Sequence, residues 1–329
     1  MKTYSLYLIM ALAGVLISCE KEEKPVTPAS TTAITAGIGV DYENTVYFDL
    51  LTGEFVLTVQ HIDWDFNVAS NPLEHNVYLN SSNFLFVKNK GVVPFESVSD
   101  TAGGPTWKYD YPSGEANRSA LKNLFDSNGQ STQNVYVVDR GINSSGQSKG
   151  FVKIMGIESN AINLSFRLAE LDGDLDTVIT VIKDVDYRTQ TFDIDALGVG
   201  SYEPLTSDWH MVFTQYTDYD LTDQGDTIPY LVRGALINSQ QIEAVRYEGG
   251  KAFAEITRED ASLVTFSSDL NVIGYDWKYF DFDTGTYIVD DTITYLVREK
   301  SGNYYKMRFV GFYNDLGEKG YPMFELKGL

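Results

Sequence analysis

Tyr295-Leu296-Val297-Arg298-Glu299-Lys300-Ser301-Gly302-Asn303-Tyr304-Tyr305-Lys306-Met307 is the stretch that decides the fold. Thr294 and Leu296 alternate with Tyr295 and Val297 on an apolar run, Lys300-Ser301-Gly302 signals a turn, and Tyr305, Met307 and Phe309 alternate with Lys306 and Arg308. A period of two on either side of a glycine turn is the pattern of antiparallel strands. Asp276-Trp277-Lys278-Tyr279 lies upstream and Tyr321-Pro322-Met323-Phe324-Glu325 downstream. The same order occurs earlier: Thr106-Trp107-Lys108-Tyr109, Val135-Tyr136-Val137-Val138 leading to Arg140, Phe151-Val152-Lys153-Ile154, then Leu164-Ser165-Phe166-Arg167. Phe48-Asp49-Leu50 precedes Trp64 much as Phe192-Asp193-Ile194 precedes Trp209. Two copies of one long period predict two similar domains in a row, since solenoid repeats are shorter and more numerous.

Further turn signals fall at Leu51-Thr52-Gly53, Pro112-Ser113-Gly114, Ser144-Ser145-Gly146 and Asp283-Thr284-Gly285. Their spacing suits hairpins and meanders and leaves no room for regular crossover helices. The 22 Tyr and 18 Phe against 4 Trp agree with pleated, half-buried surfaces. Two short helices are expected. One spans 115–126, where Leu121, Leu124 and Phe125 share a face, as an insertion on a surface loop of the first domain; the other begins at Thr257, three residues before Asp260.

Residues 1–18 combine Lys2, an apolar run from Leu6 to Ile17 and a small-residue end, the layout of a secretory signal too short to span a bilayer. Leu16-Ile17-Ser18-Cys19 resembles a bacterial lipobox, which makes Cys19, the only cysteine, the lipidation site and membrane anchor. The following Lys21-Glu22-Glu23 resembles the signal that sends lipoproteins of Bacteroidetes-type bacteria to the cell surface. Residues 19–35 read as a lipidated, flexible tether, 36–173 as the first β domain and 174–329 as the second, with the boundary near Gly173 in Leu171-Asp172-Gly173-Asp174.

The chain holds 46 acidic and 25 basic side chains, a formal charge of −21, and loses one more positive charge with Lys2. Nucleic acid is therefore not an expected partner. With Cys19 carrying lipid, no disulfide remains, and stability must come from packing. Asp172, Asp174 and Asp176 have the alternate spacing of a calcium loop, but Thr177 stands at the turn glycine and Lys183 at the bidentate glutamate, so an acidic connector is the better reading; Asp218, Asp220, Asp223 and Asp226 are read in the same way. No metal site is expected. His-Glu-x-x-His and phosphate-loop motifs are absent, and no catalytic residues are assigned.

Asp276-Trp277, Leu296-Val297-Arg298, Gly302-Asn303-Tyr304-Tyr305-Lys306 and Phe324-Glu325 together resemble the HmuY-like family over most of 185–329, and more weakly over 40–170. The resemblance implies an all-β outer-membrane lipoprotein made of two tandem antiparallel β domains with few short helices. It also implies capture of haem for a TonB-dependent transporter. Where the haem-capturing member places an iron-ligating histidine after its tryptophan, this chain has Phe282, and the first copy has Tyr111 or Pro112. Haem needs axial His, Met, Cys or Tyr from an apolar cleft. The three histidines are His61, His75 and His210; among methionines, Met155, Met211, Met307 and Met323 come into consideration, and His210 and Met211 are carried forward as haem-binding candidates. The expected protein is a monomeric surface lipoprotein that binds haem or another tetrapyrrole. The alternative is a structural or interaction lipoprotein that binds a glycan, a peptide or a partner protein without haem. A hydrolase with an acid pair stands third.

Overall fold

The structure, a computed structural model, describes residues 33–143, 145–222 and 224–329. The expected signal, Cys19 and most of the tether lie outside the described residues, as does Asp223 of the second acidic loop. The strands are β1 (Ala33–Thr35), β2 (Asn44–Asp49), β3 (Glu54–Gln60), β4 (Phe66–Ala69), β5 (Val77–Leu79), β6 (Phe86–Val92), β7 (Asn134–Asp139), β8 (Phe151–Ser159), β9 (Asn163–Glu170) and β10 (Asp176–Ile182). They continue with β11 (Thr189–Asp193), β12 (Gly198–Gly200), β13 (Met211–Leu221), β14 (Thr227–Ile237), β15 (Ile242–Arg246), β16 (Lys278–Asp281), β17 (Thr286–Val289), β18 (Tyr295–Glu299), β19 (Tyr304–Tyr313) and β20 (Lys319–Gly328). All named pairings are antiparallel, and the fold is all-β.

Four sheets carry the fold, in the orders β1-β20-β19-β18-β15, β14-β13-β2-β3, β10-β9-β8-β7-β6 and β12-β11-β4-β5. The first two enclose one core, in which Phe48 meets Phe324 edge to face at 5.4 Å and Trp277 stacks on Phe309 at 3.8 Å. The last two enclose another, in which Phe192 meets Phe166 edge to face at 5.5 Å. Burying such rings contributes about 1.5–3 kcal/mol each, and their edge-to-face contacts add to that.

The division expected at 173/174 does not follow the sheets. β10 pairs with β9 across it, and β1, β2 and β3 join strands from residues beyond 200. Each half therefore takes three opening strands from the other part of the sequence: β1–β3 complete the half built on β13–β20, and β10–β12 complete the half built on β4–β9. A strand edge leaves backbone N–H and C=O groups unpaired, so neither expected domain closes its sheets alone. The halves run in the same order, and details of their registers coincide. Phe166 opposes Ile179 as Phe324 opposes Ile34. The amide of Asp65 donates to Phe192 O and that of His210 to Phe48 O, both at 2.9 Å.

Other expectations need correction. Residues 33–35, placed in the tether, form β1, with Ile34 packed against the core. The helix expected over 115–126 is a single 3-10 turn, Ala116–Arg118, followed by turns. Ser119 Oγ donates to Val77 O and the Ala120 amide to Asp110, so tertiary partners replace the helical ladder, while Leu121 and Leu124 are buried in the core instead of riding on a surface loop. The helix after Thr257 is present as Arg258–Ser262, where the Thr257 amide donates to Asp260.

Candidate functional site

A cleft of about 390 Å3 lies between the inner strands of two sheets, β2–β13 on one wall and β4–β5–β11 on the other. That volume is in the range of small-ligand pockets. The two halves of the fold meet here, so the position follows from the exchange of opening strands. Its floor is polar and tied across the halves. Thr214 Oγ1, paired with Thr45 Oγ1 at 2.8 Å within its own half, lies 3.3 Å from Ser82 Oγ of the other; Thr217 Oγ1 donates to Ser81 O at 2.7 Å, and Gln215 Nε2 donates to Ser82 O at 2.8 Å. Gln215 also reaches buried His61 at 3.0 Å, while His61 Nδ1 lies 2.6 Å from Asn83 Oδ1. With the asparagine oxygen accepting, Nδ1 carries the proton and Nε2 accepts from Gln215. Burial lowers the His61 pKa and keeps the ring neutral.

The walls combine aromatic rings with charged and polar groups. Arg188 Nη2 donates to Glu203 Oε2 at 3.0 Å, and Thr189 Oγ1 donates to the same oxygen at 2.8 Å. Trp64 stacks on Tyr202, the chain neighbour of Glu203, at 5.7 Å. Asp110 accepts the backbone amides of Leu79 and Ala120, each at 2.6 Å, yet burial pushes its carboxyl up to about 6. Burial likewise moves the Tyr78 phenol up to about 12 and raises that of Tyr216 well above its ordinary value. Among the described residues, four cleft-lining side chains have a buried polar atom without a hydrogen-bond partner: Trp64 Nε1, Arg188 Nε, Glu203 Oε1 and Tyr216 Oη. Leaving such an atom unpaired costs about 1–3 kcal/mol, so four in one cleft are a concentration of unmet bonding.

His210 and Met211 do not reach this cleft. His210 is buried with Nδ1 3.0 Å from Asp49 Oδ1, and Met211 is fully enclosed in the core of its half. His75 contacts Ser159 Oγ at 2.9 Å. Phe282 lies at the exposed end of the β16–β17 hairpin, 89% accessible. Tyr111 and Pro112, the corresponding positions in the first half, do line the cleft. Of the other methionines, Met307 is also sealed in the core. Asp176 is held by Arg167 through two bonds of 2.8 and 2.7 Å, so it does not converge with Asp172 and Asp174 on one point. Among the described residues no group of three His, Cys, Asp or Glu is placed to hold a metal ion.

A haem bound in the cleft would need an axial ligand from its walls. Among the described residues the lining contains no histidine, methionine or cysteine, so the donor set does not fit a nitrogen- or sulfur-ligated iron; Tyr47, Tyr78, Tyr111 and Tyr216 are the axial donors it offers, and burial raises the phenol pKa of Tyr47, Tyr78 and Tyr216. Arg188, Glu203, Trp64 and Tyr216 were not singled out by the sequence. Arg188 lies just before β11 and Glu203 in the loop after β12, fifteen positions apart, and no motif spacing marks the pair.

All-β sheets arranged around an inter-sheet cleft define the class of a small-ligand-binding β protein. Comparison with protein families matches the chain to the HmuY protein family over residues 41–326. The chain belongs to the HmuY family. Among solved structures, one described as an HmuY-like heme binding protein from Bacteroides vulgatus is 12% identical, with 90% of this chain and 91% of that chain covered and a TM-score of 0.24. Apo PinO from Porphyromonas gingivitis is 8% identical, covering 92% and 98%, with a TM-score of 0.26. The apo HmuY analog of Tannerella forsythia, TFO, is 13% identical, covering 93% and 98%, with a TM-score of 0.23. No curated protein matches the chain.

Proposed function

We propose that this chain is a lipid-anchored outer-membrane binding protein, tethered through Cys19 at the cell surface, that captures a small ligand in the inter-sheet cleft and passes it to a TonB-dependent transporter. The observation that supports it is the cleft with four unpartnered buried polar atoms, an arrangement that folding alone does not reward. The reading also holds the two halves to be copies of one ancestral unit that exchange their first three strands. The shared strand order and coincident registers support this.

Haem is the ligand that family kinship brings first. The absence of His, Met and Cys from the described cleft lining, which leaves only tyrosine phenols as axial donors, favours instead a ligand without iron, the glycan or peptide alternative. Titration with haemin in both oxidation states separates the two. A saturable Soret shift would restore haem. An unchanged Soret band is the expected result, and it would leave the non-haem reading standing.

A further inference from the structure

We infer that the cleft binds a neutral, hydroxyl-rich small molecule of the saccharide class, with Arg188, Glu203, Trp64 and Tyr216 as its polar contacts; this rests on the ligand-binding reading above. The first ground is the sense of the unmet bonds. Trp64 Nε1 and Arg188 Nε can only donate, Glu203 Oε1 as a carboxylate can only accept, and Tyr216 Oη does either. A hydroxyl both donates and accepts, so a polyol matches this mixture of donors and acceptors. A ligand carrying acceptors alone leaves Glu203 unanswered.

Charge is the second ground. The Arg188 guanidinium is already compensated by Glu203 at 3.0 Å, and the other ionisable acids and bases of the lining, Glu74 and Asp110, are both carboxyl groups. An anionic ligand, such as a uronic acid or a porphyrin with two propionates, meets no free cation there and faces repulsion within a strongly acidic chain. The third ground is the lining. Tyr47, Trp64, Tyr78 and Tyr111 line the cleft next to polar groups that fix orientation, the mixture that small-ligand pockets carry.

Calorimetry on the full chain in detergent tests this, using methyl glycosides of glucose, galactose, mannose and N-acetylglucosamine, their 1,4-linked disaccharides, the matching uronic acids, and haemin. Saturable binding of at least one neutral glycoside is expected, at least about tenfold tighter than its uronic acid. Tyr216→Phe removes an unpaired hydroxyl and should keep the melting temperature while weakening binding about fivefold or more. Glu203→Gln should weaken binding further, with circular dichroism reporting whether the fold survives loss of the ion pair. Binding of haemin or a uronic acid, with none of the neutral glycosides, overturns this inference and leaves a binding protein. Neutral binding that neither substitution changes overturns it as well, by moving the ligand elsewhere. Silence toward every probe, haemin included, counts against the binding reading itself.

Discussion

Buried polar side chains at the junction between sheets show how much of this molecule is decided one residue at a time. Asn80 Nδ2 donates to His61 O and Trp64 O at 2.7 and 2.9 Å; Asn238 Nδ2 donates to Thr206 O and Trp209 O, both at 3.0 Å. Each amide closes the turn that leads its tryptophan into a strand. Replacing either with alanine strands two carbonyls and should cost about 1–3 kcal/mol, and urea melts of the two variants should give similar losses. A loss at one position alone would contradict the equivalence of the two turns. Buried His61 and His210 both have pKa values lowered by desolvation. The unfolded chain binds these protons more readily, so their contribution is present above about pH 6.5 and is lost as pH falls below that value. Asp110, raised to about 6, acts in the opposite direction as pH falls through 6. Lys278, lowered by burial to about 7, adds to the loss, whereas Asp63, Asp139 and Asp218 are raised like Asp110, so the histidine contribution is read in the urea midpoint of the wild type relative to His61→Gln, a difference that should shrink between pH 7.5 and pH 5. A difference that stays level over that range would disprove the assignment.

At the scale of elements, the entry of the chain depends on close backbone approach. The amide of Ile38 donates to Gly320 O at 3.0 Å and that of Ala36 to Pro322 O at 2.8 Å, which lays residues 33–38 along β20. Gly320 has φ +95°, and a Cβ there would fall 2.0 Å from Gly39 O, well inside contact distance. Gly320→Ala should therefore cost about 1–3 kcal/mol from strain and displacement of this segment. Gly285, with φ +70° in the β16–β17 turn, has open space around its Cα, and Gly285→Ala should cost only about 1 kcal/mol. Thermal melts of the pair measure the difference, and equal losses would show that the entry segment is not docked as described. The period-two pattern of Tyr295–Phe309 was legible because a strand buried on one face repeats every two residues whatever its partners. The 115–126 helix was misread because its apolar spacing fits a helical face equally well, and only Asp110 and Val77, distant in sequence, supply the bonds that hold turns there.

For the whole molecule, exchange of opening strands makes the two halves interdependent. Fragments 33–173 and 174–329 should each be unfolded alone, because each lacks three strands of its sheets. Mixed, they should recover the β spectrum of the intact chain, as followed by circular dichroism and size exclusion. A cooperative melt from either fragment alone would refute the interlaced topology. The sequence by itself determined the all-β class and the family, since alternation and motif order are local properties carried by neighbouring residues. It did not determine which strands complete which sheet, nor that Arg188, Glu203, Trp64 and Tyr216 line one cleft. Only the tertiary structure decided these, because backbone pairing is indifferent to side-chain identity along much of a strand, and a site assembled from both halves leaves no spacing to read along the chain.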